Sequence, residues 1–171
     1  MKKTDPRRAV LRTVLLVGEG YAEVAFIAHL KALYVFRGCG IALTVKNARG
    51  KGALHVVEVA VSQSRNNAFD VKVAMLDTDT GWDEETRALA RRENVLVVPC
   101  TPCLEAMLLA LHGDIAEGRS SAQCKQVFAT KFAGSASEAN IYAKHFPSDL
   151  LQKARLYSPW LKQLLALLEH G

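Results

Sequence analysis

The residues best suited to chemistry stand at the end of Val73-Ala74-Met75-Leu76-Asp77-Thr78-Asp79-Thr80-Gly81, an apolar run that stops in two aspartates one residue apart. In extended backbone, residues two apart point to the same side, so Asp77 and Asp79 can face one point in space. Two like charges held that close repel, and a cation between them is the simplest remedy. Asp, Thr and Gly are also turn formers, so the D-x-D by itself reads more readily as a strand-terminating turn than as a site. Two further carboxylates stand out. Glu19 follows the short β-branched run Thr13-Val14-Leu15-Leu16-Val17, and Glu105 interrupts the apolar stretch Cys103-Leu104-Glu105-Ala106-Met107-Leu108-Leu109-Ala110-Leu111. A carboxylate in a buried helix needs a partner, a proton or a metal. The bland alternative is that Glu105 sits at the helix start and pairs with an arginine. Hard oxygen ligands without a clustered His or Cys set point to Mg²⁺ or Mn²⁺ and away from zinc. Such an ion suits phosphodiester chemistry, where it activates water and stabilises the leaving oxygen. Arg49 and Lys51, in the basic glycine-bearing loop Asn47-Ala48-Arg49-Gly50-Lys51-Gly52, and Lys131 further on are the candidate phosphate- or nucleic-acid-binding cations.

The elements that must position these residues follow from hydrophobic patterning. Thr13–Val17 reads as a buried first strand, closed by Gly18-Glu19-Gly20, and residues 21–34 as a helix with Val24, Ile27, Ala28 and Leu30 at helical spacing. Ile41–Val45 is a second strand and residues 53–64 a second helix. The run before Asp77 is the third strand, and the acidic start Asp83-Glu84-Glu85-Thr86 opens a mostly polar third helix. Asn94–Val98 is the fourth strand, and a helix spans about Cys103 to Leu111. This β-α-β-α-β-α-β-α order predicts an α/β fold, a mainly parallel four-stranded sheet with helices on both faces. Sites in such sheets form beyond the carboxyl ends of the strands, which puts Glu19, Asp77, Asp79 and Glu105 on one edge, with Arg49 and Lys51 following strand two. Beyond Gly113 the pattern predicts helices over residues 121–132 and 138–145, the second with Ser137 as N-cap. A last helix is introduced by Ser158-Pro159, with Trp160, Leu161, Leu164, Leu165 and Leu168 on its apolar face. The organisation expected is a charged leader over 1–12, an α/β domain over 13–131 and a helical extension over 132–171 packed on the same domain.

At 171 residues, half of them hydrophobic, the chain has the material for one domain with a proper core. No apolar run approaches the ~18 residues of a membrane span, and Met1 to Arg8 lacks the apolar region of a signal peptide. Four cysteines are too few for a disulfide scaffold of this length. These features predict a cytoplasmic protein without a membrane partner. The net charge of +5 leans toward a polyanionic partner such as nucleic acid.

Two rival motifs compete with the carboxylate set. Gly18-Glu19-Gly20-Tyr21-Ala22-Glu23 begins like a dinucleotide-binding G-x-G-x-x-G, but ends in Glu where Gly or Ala would let the helix approach, and Glu19 would face the pyrophosphate. Cys100-Thr101-Pro102-Cys103 has the C-x-x-C form of thiol oxidoreductases, but follows a late strand and leaves the carboxylates unexplained. His112, seven residues past Glu105, reads as a helix C-terminal residue before it reads as a ligand.

In their order and strand placement, Glu19-Gly20 with Glu23 a turn later, and Asp77-Thr78-Asp79, resemble the marks of a TOPRIM domain. This is the catalytic module of topoisomerases, bacterial primases, the small ribonuclease that matures ribosomal RNA, and OLD-family nucleases. The closer resemblance is to RloB-like proteins, stand-alone TOPRIM proteins often associated with prokaryotic restriction and defence loci. It adds Pro102-Cys103-Leu104-Glu105 running into Leu108-Leu109-Ala110-Leu111-His112, and Ser120-Ser121-Ala122-Gln123-Cys124-Lys125. The departures are Gly18, where an apolar residue often precedes the Glu-Gly pair, and Leu104 with Met107, where aromatics are frequent. The resemblance implies Glu19 as general acid or base, Asp77 and Asp79 as magnesium ligands, and Glu23 and Glu105 as further metal-site carboxylates. The function expected is a Mg²⁺-dependent nuclease in a prokaryotic defence or RNA-processing setting. The alternative is a non-catalytic TOPRIM-fold nucleic-acid-binding or regulatory subunit of a defence complex. DNA or RNA, one metal or two, protein partners and oligomeric state stay open.

Overall fold

The structure is a computed structural model and describes residues 10–169. The charged leader read over residues 1–12 therefore lies outside the described residues except for its last three, and Arg12 already belongs to the first strand. In chain order the elements are β1 (Arg12–Gly18), α1 (Tyr21–Tyr34), β2 (Ile41–Asn47), α2 (Gly52–Asn66), β3 (Val71–Asp77), α3 (Glu84–Arg92), β4 (Val95–Cys100) and α4 (Leu104–Leu111). They are followed by α5 (Ser121–Phe132), α6 (Ala139–His145), α7 (Ser148–Ala154) and α8 (Pro159–Leu168).

All strand pairings are parallel, in the order β2-β1-β3-β4. The chain moves outward from β1 to β2, then crosses back to lay β3 on the other side of β1. The carboxyl ends of β1 and β3 therefore flank the point where strand order reverses, the usual crevice of an open parallel sheet. The apolar runs of β1 and β3 are continuous because both strands are covered on both faces. Val14, Leu16, Val73 and Met75 enter one core, while Leu15, Val17, Ala74 and Leu76 enter the other. Helices α2 and α3 close the second face. Helix α1 and all of α4 to α8 close the first, so the C-terminal helices belong to the same core as the sheet.

Capping differs from the sequence reading in detail. Helix α3 starts as expected, with Asp83 Oδ1 accepting from the Thr86 N–H at 2.9 Å. Helix α6 is introduced by Glu138, not Ser137: the Ser137 hydroxyl is taken up by Ser135, and Glu138 folds back to accept from the Ser135 N–H at 2.7 Å. Ser158 does precede α8, but it caps through its backbone position alone, since its Oγ is buried without a hydrogen-bond partner. Helix α7 has no long apolar periodicity to announce it. Pro147 ahead of it and Asp149 in its first turn are its only local signals. Among the described residues, no helix is long and apolar enough to cross a membrane.

Candidate functional site

The site is built where β1, β3 and β4 deliver their carboxyl ends. Gly18 ends β1, and a Cβ there would meet the Glu23 Cβ at 2.8 Å and the Val24 backbone nitrogen at 3.1 Å. Only glycine lets the first turn of α1 lie this close to the strand, which explains the departure from an apolar residue. Glu23, 5 % exposed, accepts from the Gly20 N–H at 2.7 Å and so satisfies one orphan donor of the helix start. Its carboxyl is pushed up by burial and, more weakly, by the charges of Glu105 and Glu19, against the pull of its backbone hydrogen bonds.

Glu19 ties three elements together. Its N–H donates to Met75 O of β3 at 3.0 Å, and its carbonyl accepts from Gly50 N–H of the β2–α2 loop at 2.8 Å. Its Oε2 accepts from the Asp77 N–H at 3.0 Å. The Glu19 side chain is thereby held on the Asp77 backbone across the β1–β3 crevice.

Asp77 is the last residue of β3. Its Oδ1 accepts from the Leu104 N–H at the start of α4 at 3.0 Å, and its Oδ2 stands 4.0 Å from Lys125 Nζ. Burial pushes its carboxyl up to about 8, with the charges of Glu23 and Glu105 adding to the rise and the Leu104 N–H and Lys125 opposing it. Thr78 closes the strand by donating its N–H to Cys100 O and Pro102 O, so the chain bends before Asp79. Asp79 is exposed; its Oδ2 accepts from Ser121 Oγ and its Oδ1 from Thr80 Oγ1. The two aspartates thus engage different partners, the starts of α4 and α5, yet both act on the same ammonium. Burial would lower the pKa of Lys125, but Glu105, Asp77 and Asp79, with the nearby Cys103 thiol, raise it.

Glu105, in the first turn of α4, is 7 % exposed and has no arginine partner among the described residues; the cation facing it is Lys125. The structure therefore brings Glu19, Glu23, Asp77, Asp79 and Glu105 to one edge. Lys125 and Ser121 join them, one turn apart on the same face of α5. Neither role is visible in strand patterning, because it depends on how α5 packs beside α4. The i, i+4 pairing of Ser121 and Lys125 behind the capping Ser120 is the only local signal.

The candidate cations part company. Arg49 and Lys51 are exposed on the loop that hydrogen-bonds to Glu19, with left-handed backbone at φ 62° and 76°. Such backbone costs a non-glycine residue about 1–2 kcal/mol, the kind of strain found at ligand clamps. Lys131 lies six residues past Lys125 along α5, roughly 9 Å away. There it pairs with Asp114 at 3.7 Å and sits over the Phe132 ring, apart from the carboxylates.

Of the rival motifs, the thiols fail on reactivity. Cys100 and Cys103 are free and buried; burial and the neighbouring carboxylates push the Cys100 thiol well up and Cys103 to about 12, the reverse of an activated thiolate. The dinucleotide reading fails because Glu23 occupies the contact a small residue would need. His112 caps α4 with its ring against Phe132 and Phe146, and does not join the carboxylates.

Among the described residues, no three His, Cys, Asp or Glu side chains come together in a group that could hold a metal ion. In donor type the set nevertheless suits a hard divalent ion: it offers carboxylate oxygens, those of Asp79 exposed and those of Asp77 partly so, with Glu23 and Glu105 buried behind them. Magnesium needs only one or two protein ligands and completes its shell with water and phosphate. Comparison with family models, with curated proteins and with solved structures finds no match for this chain.

Proposed function

We propose that this chain is a cytoplasmic, Mg²⁺- or Mn²⁺-dependent phosphodiesterase of TOPRIM, RloB-like type, acting on nucleic acid in a prokaryotic defence or RNA-processing setting. The observation that carries the reading is the crowding of Asp77 by Glu23 and Glu105 at the β1–β3 crevice, with Glu19 clasped to the Asp77 backbone. Carboxylates gathered there without a matching number of cations suit a site completed by a metal and a phosphate.

Asp77 and Asp79 would hold the ion, with Glu23 and Glu105 as further ligands. Bound there, it would lower the pKa of a water and neutralise charge on the phosphoryl oxygens. The chain's own groups do the rest. The Leu104 N–H fixes the Asp77 carboxylate, and Ser121 fixes that of Asp79. Glu19 uses one oxygen on the Asp77 N–H, leaving the other to take a proton from the attacking water or return one to the leaving oxygen. Lys125 supplies positive charge where a phosphate would approach.

The test is cleavage of single- and double-stranded DNA, RNA and transfer RNA, with and without Mg²⁺, by wild type, Asp77→Asn and Glu19→Gln. We expect metal-dependent cleavage that both substitutions abolish; activity surviving both would overturn the reading. One observation favours a second reading, a non-catalytic binding subunit: among the described residues no three His, Cys, Asp or Glu side chains come together in a group that could hold a metal ion. That reading requires nucleic-acid binding without turnover, unchanged when magnesium is chelated.

A further inference from the structure

Tyr21 is the first residue of α1, two positions past Glu19, and is 72 % exposed. Among the described residues its ring has no aromatic or cationic partner and its hydroxyl no hydrogen bond. The other three tyrosines all use theirs: Tyr34 with Gln152, Tyr142 with Ala136 O, and Tyr157 with Leu111 O. Two backbone bonds, Gly50 N–H to Glu19 O at 2.8 Å and Ala48 N–H to Gly18 O at 2.9 Å, lay the loop carrying Arg49 and Lys51 beside Glu19-Gly20-Tyr21. Neither cation has a carboxylate partner among the described residues. One corner of the carboxylate edge therefore carries an exposed tyrosine and, on the adjoining loop, two exposed cations without a carboxylate partner among the described residues.

We propose that this corner receives an unpaired nucleotide of the substrate, its base stacked on Tyr21 and its flanking phosphates on Arg49 and Lys51. The inference rests on reading this edge as a nucleic-acid site and names the substrate class as single-stranded. A duplex keeps its bases stacked on one another, so only an unpaired base can offer its face to a side-chain ring. The cations on one side and the carboxylates on the other orient the strand. Phosphates settle on the Arg49–Lys51 side, and only the scissile one would approach Asp77, on the proposed reading through a divalent ion held by the carboxylates. A single ring flanked by charge suits a nucleotide better than an apolar protein segment, which would need a contiguous apolar patch.

Fluorescence anisotropy with labelled oligo(dT), oligo(U) and a blunt hairpin duplex tests this on the full chain. Binding is measured in Ca²⁺, with oligonucleotide integrity checked on a gel. We expect single strands to bind at least ~10-fold more tightly than the duplex, and Tyr21→Ala to weaken them roughly 5–100-fold while Tyr21→Phe stays within ~3-fold of wild type. The Arg49→Gln/Lys51→Gln double variant should reduce the slope of log affinity against log salt by about 1.4. The ratio of oligo(dT) to oligo(U) affinity separates DNA from RNA as the source of the strand. Equal affinity for duplex, or Tyr21→Ala binding like wild type, overturns the inference even if Mg²⁺-dependent cleavage is present. Tyr21-dependent single-strand binding without cleavage upholds it and instead overturns the phosphodiesterase reading.

Discussion

If the carboxylates at the sheet edge are crowded as described, removing one charge should make the metal-free protein more stable while removing its function. Asp77→Asn is the sharpest form of that test, because Asn keeps an oxygen to accept from the Leu104 N–H and loses only the charge. Asp77 in the folded protein is raised from 3.8 to about 8. Its proton is therefore held more tightly in the folded than in the unfolded chain. The stabilisation linked to that proton is complete below about pH 4 and is lost as pH rises through about 8. At ~1.4 kcal/mol per pH unit the full span corresponds to an upper bound of ~6 kcal/mol. The side chain keeps 14 % exposure and Lys125 lies beside it, so solvent and the ammonium can relax around the charge. We therefore expect about 2–3 kcal/mol, or roughly 5–10 °C in Tm for a chain of this size. Asp70, Asp83, Glu84 and Asp114 are shifted the opposite way and lose stability in acid, but they are common to both proteins and cancel in the difference. Urea denaturation in EDTA from about pH 4 to about pH 9 should show Asp77→Asn nearly level with wild type at the acid end, pulling ahead as pH rises and holding its lead at the alkaline end. Adding Mg²⁺ should close the gap at a concentration about 100 times the wild-type Kd, where wild type gains ~2.7 kcal/mol, and reverse the order at about 1,000 times Kd, where it gains ~4.1 kcal/mol and a variant that does not bind the ion gains nothing. A difference that stays flat across this range, or a variant less stable at the alkaline end, would refute the crowding argument.

Two substitutions probe the supports of the site. Gly18→Ala places a methyl 2.8 Å from the Glu23 Cβ and 3.1 Å from the Val24 backbone nitrogen, so α1 must move; we expect a loss of ~1–3 kcal/mol by urea denaturation, with cleavage impaired beyond the loss of folded protein. Unchanged stability would mean that the helix start is not as closely seated as described. Lys125→Met should lower turnover by about 100-fold and at the same time tighten Mg²⁺ binding measured by calorimetry, because the ammonium no longer competes for Asp77, Asp79 and Glu105. Weaker binding of the ion would show that Lys125 assists the metal instead of opposing it.

The strand ends were legible in the sequence because each apolar run is broken by a residue of different character: Gly18-Glu19 at the end of β1, Asp77 as the last residue of β3, and Pro99-Cys100 at the end of β4 leading to Glu105. Alternating strands and helices then force those ends to one edge. Charge alone was a poorer guide. Lys131 and Lys125 share a helix, and only the parallel seating of α5 against α4, after an irregular connection over residues 112–120, decides that Lys125 meets the carboxylates while Lys131 meets Asp114. Glu23 drew attention through its motif, but the reason for Gly18 lay in a contact between helix and strand that spacing does not encode. The serines mislead for a related reason. A hydroxyl before a helix can cap, as Ser120 does, turn to a neighbour, as Ser137 does, or be buried without a partner, as Ser158 is.

Lys125 also changes what the paired aspartates mean. Two carboxylates aimed at one region call for a cation, and the structure provides one from within the chain, 4.0 Å from Asp77 and under the field of Glu105 and Asp79. One ammonium cannot balance Glu23, Asp77, Asp79 and Glu105 together; burial, with the neighbouring carboxylates adding to it, keeps Glu23 and Asp77 raised with Lys125 in place. Its side chain is 54 % exposed and its flexible stem lets it withdraw. A divalent ion and a phosphate arriving together would bring opposite charges: the ion to the carboxylates and the phosphate to the displaced ammonium. On the phosphodiesterase reading, Lys125 would hold the edge together in the metal-free protein and would be released to meet a phosphate when an ion is bound. Metal affinity and turnover should therefore move in opposite directions when Lys125 is removed.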